Sequence, residues 1–218
     1  MRRRTILVVL AAALAVAFAL PASALGVKVH VRVEGKTTTI FGATQPLLTP
    51  FTGSLPIGDS SIELSQPTPL GALEAAGERG EFFYELQQFS FGPYVSRIGR
   101  YPAEGTTGWV FKVNGVSPPV GADAVVLEEG DDVLWYFAQF GDVPGGPPTL
   151  DLVRTRRGCF RADALDDAGT RTVARGAVFV IDGRRVESAS GRTCPRGVWR
   201  EIRATKDGAI RSEVLRRR

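Results

Sequence analysis

The sequence predicts an α+β fold followed by an all-β fold. In the first part, segments with strand periodicity stand on both sides of one convincing helix. In the second part, short apolar segments alternate with Asp-Gly turns, the pattern of a small all-β unit. Residues 142–148 are rich in Pro and Gly, a composition that breaks regular elements. We therefore predict domains at residues 25–141 and 149–218, joined by this linker.

Residues 1–24 have the features of a secretory signal peptide. Three arginines at positions 2–4 precede an apolar run from Ile6 to Leu20, and small residues follow as far as Ala24. The run is about 15 residues long, shorter than the ~20 that a membrane helix needs. We expect cleavage after Ala24 and an extracellular or cell-surface location. The alternative is an uncleaved anchor.

Charge is distributed unevenly along the chain. Residues 25–144 contain 7 lysines and arginines against 14 acids, a net charge of −7, whereas residues 149–218 contain 17 against 9, a net charge of +8. Such asymmetry is typical of a chain with a charged partner. For an exported protein we expect an anionic cell-wall polymer rather than nucleic acid, bound through the basic part. The alternatives are that the two parts dock onto each other, or that each is solvated independently.

The first predicted elements are two strands. Val27–Val33 alternates apolar and polar residues, which predicts a strand with one buried face, and Thr37–Phe41 returns after a turn. His30 falls on the polar face, so we expect its side chain in solvent. Residues 42–66 are rich in Pro, Gly, Ser and Thr and are predicted to form a long loop.

The helix begins after Thr68. This threonine is a suitable N-cap, and Pro69 suits the first helical position. Apolar residues then recur every three positions and mark one buried face: Leu70, Leu73 and Ala76. A glycine at position 77 or 80 is expected to end the helix.

Two aromatic strands close the first part, after strand-like segments at 82–86 and 91–98. The first runs from Gly108 into Asn114-Gly115, a dipeptide that suits a tight turn because both residues tolerate positive φ. Alternation places Trp109, Phe111 and Val113 on one face, and Val110 and Lys112 on the other. In the second strand, residues 133–137 are apolar on both faces, which predicts a buried central strand.

The second part is predicted to be a small β-sandwich. Ala177–Ile181 and Val198–Ala204 are strand-like, with turns at Asp182-Gly183 and at 206–208. Its two cysteines, Cys159 and Cys194, are an even pair in an exported chain, which predicts a disulfide. A loop of this length stabilises by about 4 kcal/mol in the loop-entropy model.

The predicted order strand–strand–helix–strands, with a final aromatic hairpin, is that of a β-grasp fold. Several short motifs in this part of the chain support the same resemblance. Those motifs are Gly92-x-Tyr94-Val95-x-x-Ile98-Gly99, Gly108-Trp109-x-x-x-Val113-Asn114-Gly115, Gly121-Ala122 and Gly130-Asp131. Over roughly residues 27–140 the chain resembles an exported bacterial domain of unknown function that is similar to the C-terminal β-domain of transcobalamin and intrinsic factor. The resemblance implies a ligand-binding ancestry.

The candidate ligand-binding residues are Tyr94, Trp109 and Phe111. For Trp109 and Phe111 we predict a place in the core of the first part, and ligand contact is the alternative. Cobalamin is the ligand of the animal relatives, but their helical barrel is absent from this chain. A lone β-domain would leave one face of a corrinoid in water, so a corrinoid stays one alternative among unknown small molecules and surface partners.

The second part more weakly resembles small immunoglobulin-like or carboxypeptidase-regulatory-like domains. The matching residues are Ala177–Ile181 and Ala204-Thr-Lys-Asp-Gly208-x-Ile-Arg-Ser212. Such domains are usually spacers or adhesion units, which implies a supporting role for this part of the chain.

The sequence has no catalytic or metal-binding motif that we recognise. Nucleophile-elbow, phosphate-loop and His-Glu-x-x-His patterns are missing, and we predict no cofactor. Four acids surround Gly130, but their spacing fits no calcium loop, and we expect a solvated turn; a carboxylate pair for glycoside hydrolysis stays open. The sequence thus predicts an exported, non-catalytic module that binds a ligand or partner. The alternative is a structural spacer or adhesion protein without a specific ligand.

Overall fold

The computed structural model describes residues 26–141, 145–155 and 158–217. The predicted signal peptide and residues 142–144 of the predicted linker lie outside this range. Within it, none of the helical segments has the length and apolar character to cross a membrane. The fold class is as predicted: strands in several sheets, with one helix among the described residues.

The elements are short and mostly extended. The helix α1 spans Pro69–Gly80. The strands are β1 Val29–Glu34, β2 Thr39–Phe41, β3 Leu47–Leu48, β4 Gly53–Ile57, β5 Ser60–Leu64, β6 Tyr84–Phe89, β7 Gly92–Ile98, β8 Tyr101–Pro102, β9 Thr107–Val113, β10 Asp132–Gln139, β11 Thr149–Arg154, β12 Phe160–Leu165, β13 Arg171–Val173, β14 Ala177–Ile181, β15 Arg184–Ser188, β16 Arg192–Thr193, β17 Glu201–Thr205 and β18 Leu215–Arg216.

The first part is organised by a mixed sheet in the order β2-β1-β10-β9, with β3 also paired to β1. The two central strands are parallel, with His30 opposite Asp132, and the outer pairs are antiparallel. Helix α1 packs on one face, where the Trp135 indole donates to the Pro69 carbonyl oxygen over 3.0 Å. This is the β-grasp arrangement, and β10 is the buried central strand that its two apolar faces predict.

Helix α1 forms as its sequence predicts. The Thr68 hydroxyl accepts a hydrogen bond from the Gly71 amide, and Pro69 lies in the first turn. Its apolar face is buried: Leu70, Leu73 and Ala76. The helix ends at Gly80, and it is Glu81, not a glycine, that adopts the left-handed conformation after it.

The loop prediction for residues 42–66 is wrong. The segment contains β3 and the antiparallel hairpin β4–β5. Leu55, Ile57 and Leu64 are buried in this hairpin, although Pro, Gly and Ser between them hide the alternation in the sequence. Packing against the first core therefore outweighs the low strand propensity of this composition.

The prediction that β1 has one solvated face is also wrong. Arg32 and Glu34 lie on its polar face, yet both are buried. His30 is half-buried, and its Nδ1 lies 2.8 Å from the Gln45 carbonyl oxygen. The polar face of β1 is covered by the second part of the chain, which its alternation cannot reveal.

The second part is a sandwich of two sheets. One has the order β11-β12-β13 with β16 paired to β12, and the other has the order β15-β14-β17-β18. Their inner faces share one core, in which the Phe160 and Trp199 rings meet edge to face at 5.3 Å. The predicted strand Ala177–Ile181 has the predicted bounds, whereas the strand predicted at 198–204 is shifted to Glu201–Thr205. The predicted Cys159–Cys194 disulfide is confirmed.

The two parts pack together through the face of the first sheet that is opposite α1. Leu134, Tyr136 and Ala138 of β10 form a small apolar cluster there with Ile210 of the second part. Lys112 on β9 is fully buried, and its Nζ donates to the carbonyl oxygens of Leu165 and Asp166 over 3.2 and 2.7 Å. Burial lowers the pKa of Lys112, although the Asp167 carboxylate opposes this shift.

Candidate functional site

A groove of about 740 Å³ lies beside β9 in the first part. Aromatic residues and prolines dominate its lining: Phe91, Pro93, Tyr94, Trp109, Phe111, Pro118, Pro119, Trp135, Tyr136 and Phe140. Its volume is within the range of small-molecule sites, which are typically 300–1,000 Å³. All three candidate ligand-binding residues, Tyr94, Trp109 and Phe111, are among the lining residues.

The groove follows the free edge of β9. Trp109, Val110 and Phe111 alternate between the two faces of the sheet, yet all three line it. The Asn114 amide donates to the Asp132 carbonyl oxygen over 2.9 Å, so with the observed register Phe111 directs its N–H and C=O away from β10. Within the described residues these two groups have no main-chain partner, and they offer one donor and one acceptor to a ligand.

The opposite wall is the loop at residues 117–124, which is fixed at both ends. The Ser117 amide donates to the Asp167 carbonyl oxygen over 2.8 Å, and the Ala122 carbonyl oxygen accepts from the Leu70 amide over 3.0 Å. The loop is thus tied to the second part at one end and to the first turn of α1 at the other. A wall held in this way favours a preformed site.

The tryptophans form the floor of the groove. Trp109 and Trp135 are each only 2 % exposed. The Trp109 indole donates to the Tyr101 carbonyl oxygen over 2.8 Å and its ring meets Phe137 at 5.4 Å. Because both indole N–H groups have internal acceptors, the tryptophans present apolar surface to a ligand and no free donor.

The mouth of the groove is exposed and aromatic. Phe91 is 72 % exposed and Phe140 is 37 % exposed. Phe91 stacks on Phe89 at 5.2 Å, and Phe89 meets the Tyr94 ring edge to face at 5.9 Å. A β-carbon at Gly108 would lie 2.5 Å from the Tyr94 hydroxyl oxygen, so the absence of a side chain there allows Tyr94 to lie across β9.

The charged residues of the groove are acidic. Asp167 is already engaged, because it lies 3.5 Å from the Lys112 ammonium and accepts from the Gly146 amide over 2.8 Å. Asp123 is half-buried in the wall. Among the residues that the structure describes, no hydrogen-bond or ion-pair partner reaches its carboxylate. Asp123 therefore supplies the uncompensated charge of the site.

The acids around Gly130 hold a turn together. The Asn114 side chain donates to Asp131 over 2.8 Å and accepts from the Asp132 amide over 2.9 Å. Asn114 and Gly115 have φ values of 52° and 81°, as expected for the predicted turn. In the described parts of the chain, no group of three or more His, Cys, Asp or Glu residues is arranged to hold a metal ion.

Sequence reasoning missed three contributors to the groove: Phe91, Phe140 and Asp123. Phe91 could have been predicted from the sequence, because phenylalanines at positions 89 and 91 flank a turn with a glycine, where polar residues are usual. Phe140 follows the end of β10, and Asp123 lies in a loop. Only the tertiary fold brings them beside Tyr94.

A protein-family model matches part of the chain. Residues 68–139 match the model of a domain of unknown function, DUF4430. The DUF4430 match begins at the N-cap of α1 and ends at the last residue of β10, so it includes β9 and most of the groove. It does not include β1, the strand that completes the centre of the sheet. No curated protein matches the chain.

Proposed function

We propose that the chain is an exported, non-catalytic binding module whose ligand occupies the groove beside β9. The observation that carries this proposal is the exposed aromatic mouth over a buried tryptophan floor. Large exposed rings beside a concave, apolar surface mark interaction sites, because a chain without a ligand gains nothing from leaving them in water. The DUF4430 match includes Phe91 and both tryptophans but not Phe140, and it carries no function of its own.

The composition of the groove supports binding rather than catalysis. Besides the indole N–H groups, which have internal acceptors, the polar side-chain groups of its lining are the hydroxyls of Ser117, Tyr94 and Tyr136 and the carboxylates of Asp123 and Asp167. Burial raises the pKa of Tyr136, and the Asp167 carboxylate adds to that shift, so Tyr136 stays protonated near neutral pH. His30, the histidine of the chain, lies on β1 and interacts with Gln45, away from the groove.

The likeness to the transcobalamin C-terminal β-domain belongs to this proposal. It suggests a ligand with a large apolar face, and a corrinoid is one such ligand. The loop at 117–124 covers one side of the groove only, so a corrinoid would keep much of its surface in water. We therefore expect smaller apolar molecules to bind better than cobalamins.

A structural spacer is the second candidate function. The near-complete burial of Trp109 and Trp135, with both indole donors satisfied internally, favours it, as does the likeness of the sandwich to spacer or adhesion domains. The two candidate functions differ in the role of Phe91 and Phe140, because a binding site uses these exposed rings and a spacer requires neither of them.

The test uses the chain from Leu25 and a neutral apolar dye, Nile red. We expect dye fluorescence to rise on binding, and the affinity to fall at least tenfold in the double variant Phe91→Ala/Phe140→Ala. Phe83→Ala is the matched control, since Phe83 is 57 % exposed but does not line the groove. Equal dye binding by all three proteins would remove the binding proposal and leave the spacer.

Retention at an anionic surface is a separate part of the proposal. Arg203 and Arg211 are engaged at the junction, whereas Arg184, Arg185 and Arg196 are exposed on the sandwich. Export is supported by the disulfide, which persists in oxidising compartments. Exposed arginines attract polyanions over about 8 Å at physiological salt.

Co-sedimentation with anionic cell wall at low and high salt tests retention. We expect binding at low salt that falls steeply at high salt and is weakened by Arg184→Gln/Arg185→Gln/Arg196→Gln. Arg79→Gln in the first part serves as the control. Sedimentation that is absent at low salt, or unchanged by salt, would refute retention by charge.

A further inference from the structure

We infer that the ligand of the groove is a small organic cation, an ammonium group carried on an apolar body. This inference rests on the proposed function and specifies its ligand class. Three features of the described residues carry it: one unpartnered carboxylate, exposed aromatic faces beside it, and walls without a basic group.

The carboxylate is that of Asp123. Its Oδ1 lies 4.0 Å from the β-carbon position of Gly92, the residue that follows Phe91 at the mouth of the groove. The other acid of the lining, Asp167, is compensated by Lys112. A half-buried carboxylate without a partner attracts a cation more strongly than one in open solvent, because the surrounding apolar walls lower the local dielectric.

The aromatic residues suit the same charge. Phe91 and Phe140 keep exposed ring surface at the mouth, and Tyr94 lines the same groove. An ammonium within about 6 Å of a ring centroid is attracted by the negative face of the ring, and this contact is used by sites for quaternary ammonium ligands. A neutral apolar molecule gains the ring contact but not the electrostatic attraction.

The walls of the groove do not suit an anionic ligand. None of the lining residues is Lys, Arg or His, and Lys112 points to the other side of the sheet, where it is buried against the second part. The charged side chains of the lining are Asp123 and Asp167, so the charge at the groove itself is negative and favours a cation over an anion. The apolar body of the ligand would then lie against Phe111, Val110 and the prolines at 118 and 119.

The experiment compares three probes that share one phenylbutyl body: 4-phenylbutyltrimethylammonium, 4-phenylbutanol and 4-phenylbutyrate. Affinities for the chain from Leu25 are measured by titration calorimetry. We expect the cation to bind at least tenfold more tightly than the alcohol, and the anion to bind most weakly. The advantage of the cation over the alcohol should shrink at least fivefold in Asp123→Asn and in 1 M salt.

Matched variants separate charge from shape. Phe91→Leu keeps apolar volume but removes the ring face, so it should weaken the cation and spare the alcohol. Asp59→Asn, at an exposed acid in the β4–β5 turn, should leave all three affinities unchanged. Thermal unfolding checks that each variant is folded.

The possible outcomes are distinct. Equal binding of cation and alcohol overturns the cation inference and leaves the proposed function standing, whereas no binding of any probe refutes both. A cation preference that survives in Asp123→Asn overturns the role of Asp123. Tighter binding to phosphatidylcholine vesicles, or to a lysine-containing peptide, than to the free cation overturns the commitment to a small molecule.

Discussion

The carboxylate of Glu34 on β1 lies 2.7 Å from the guanidinium Nε of Arg211, a residue 177 positions further along the chain. Arg32 and Arg203 approach the same carboxylate at 3.1 and 3.2 Å, and Thr39 donates to it as well. Glu34 is completely buried. Opposite charges of the two parts of the chain thus meet inside the molecule, in the way that docking of the two parts predicts.

Glu34→Gln should destabilise the chain by about 3–5 kcal/mol. The substitution keeps the shape of the side chain but leaves three buried or half-buried arginines without their counter-ion, and a buried charge that loses its partner costs that much. Urea denaturation measures the change in the free energy of unfolding. Glu201→Gln is the control, because its contact with Arg216 spans 3.7 Å between exposed side chains and should be worth under about 1 kcal/mol. Similar losses in the two variants would contradict the junction as a source of stability.

Trp109→Ala should also be costly, by about 3–5 kcal/mol, since it empties part of a packed core. Phe91→Ala at the mouth of the same groove should cost under about 1 kcal/mol, because the ring is largely in solvent. The free energy of unfolding of both variants, measured by thermal or urea denaturation, tests whether Trp109 belongs to the buried floor of the groove and Phe91 to its exposed mouth. If Trp109→Ala lost less than about 1 kcal/mol while ligand binding disappeared, Trp109 would be a ligand contact and not a core residue.

Stability should decline as the pH rises from about 4.5 to about 7. Burial raises the pKa of Glu213 to about 7, with Arg32 opposing this shift and Asp151 adding to it. The folded chain therefore holds this proton more tightly than the unfolded chain, whose glutamate titrates near 4.5. Its contribution is fully present below about pH 4.5 and is lost as the pH rises through about 7. We expect the free energy of unfolding to fall by roughly 3 kcal/mol across this window.

Glu213→Gln checks the assignment of that pH dependence. Urea denaturation between pH 5 and 8 should give a flatter profile for the variant than for the parent chain. Identical slopes in parent and variant would show that Glu213 does not titrate in this range.

Reduction of the Cys159–Cys194 disulfide should destabilise the chain by about 4 kcal/mol, because the bond closes a loop with a sequence separation of 35 residues. Urea denaturation with and without reductant gives the difference, and the double variant Cys159→Ser/Cys194→Ser should match the reduced chain. Free thiols found by mass spectrometry in correctly exported, unreduced protein would disprove the bond.

The sequence predicted those features of the fold that depend on residues close to one another in the chain. The Thr68 cap, the alternation at 109–113 and the bounds of Ala177–Ile181 follow from periodicity and turn chemistry alone. The burial of Glu34 was not predictable in this way, because it depends on Arg203 and Arg211 far along the chain. The groove was predictable only in part for the same reason: Tyr94 and Trp109 belong to recognisable motifs, whereas Asp123 reaches the site through the tertiary fold.

The parallel pairing of β1 with β10 has a consequence for how the chain folds. His30 pairs with Asp132, so β1 and its parallel partner are separated by about a hundred residues in sequence. The separation between Glu34 and Arg211 is larger still, at 177 residues. Closing loops of this size is entropically costly and slow. While the chain emerges during synthesis, β1 can form only its hairpin contacts with β2 and β3. The apolar face of β10 stays open until Ile210 is available to cover it. The junction between the two parts is therefore among the last contacts that an emerging chain can form, and the first part alone exposes the face that this junction buries.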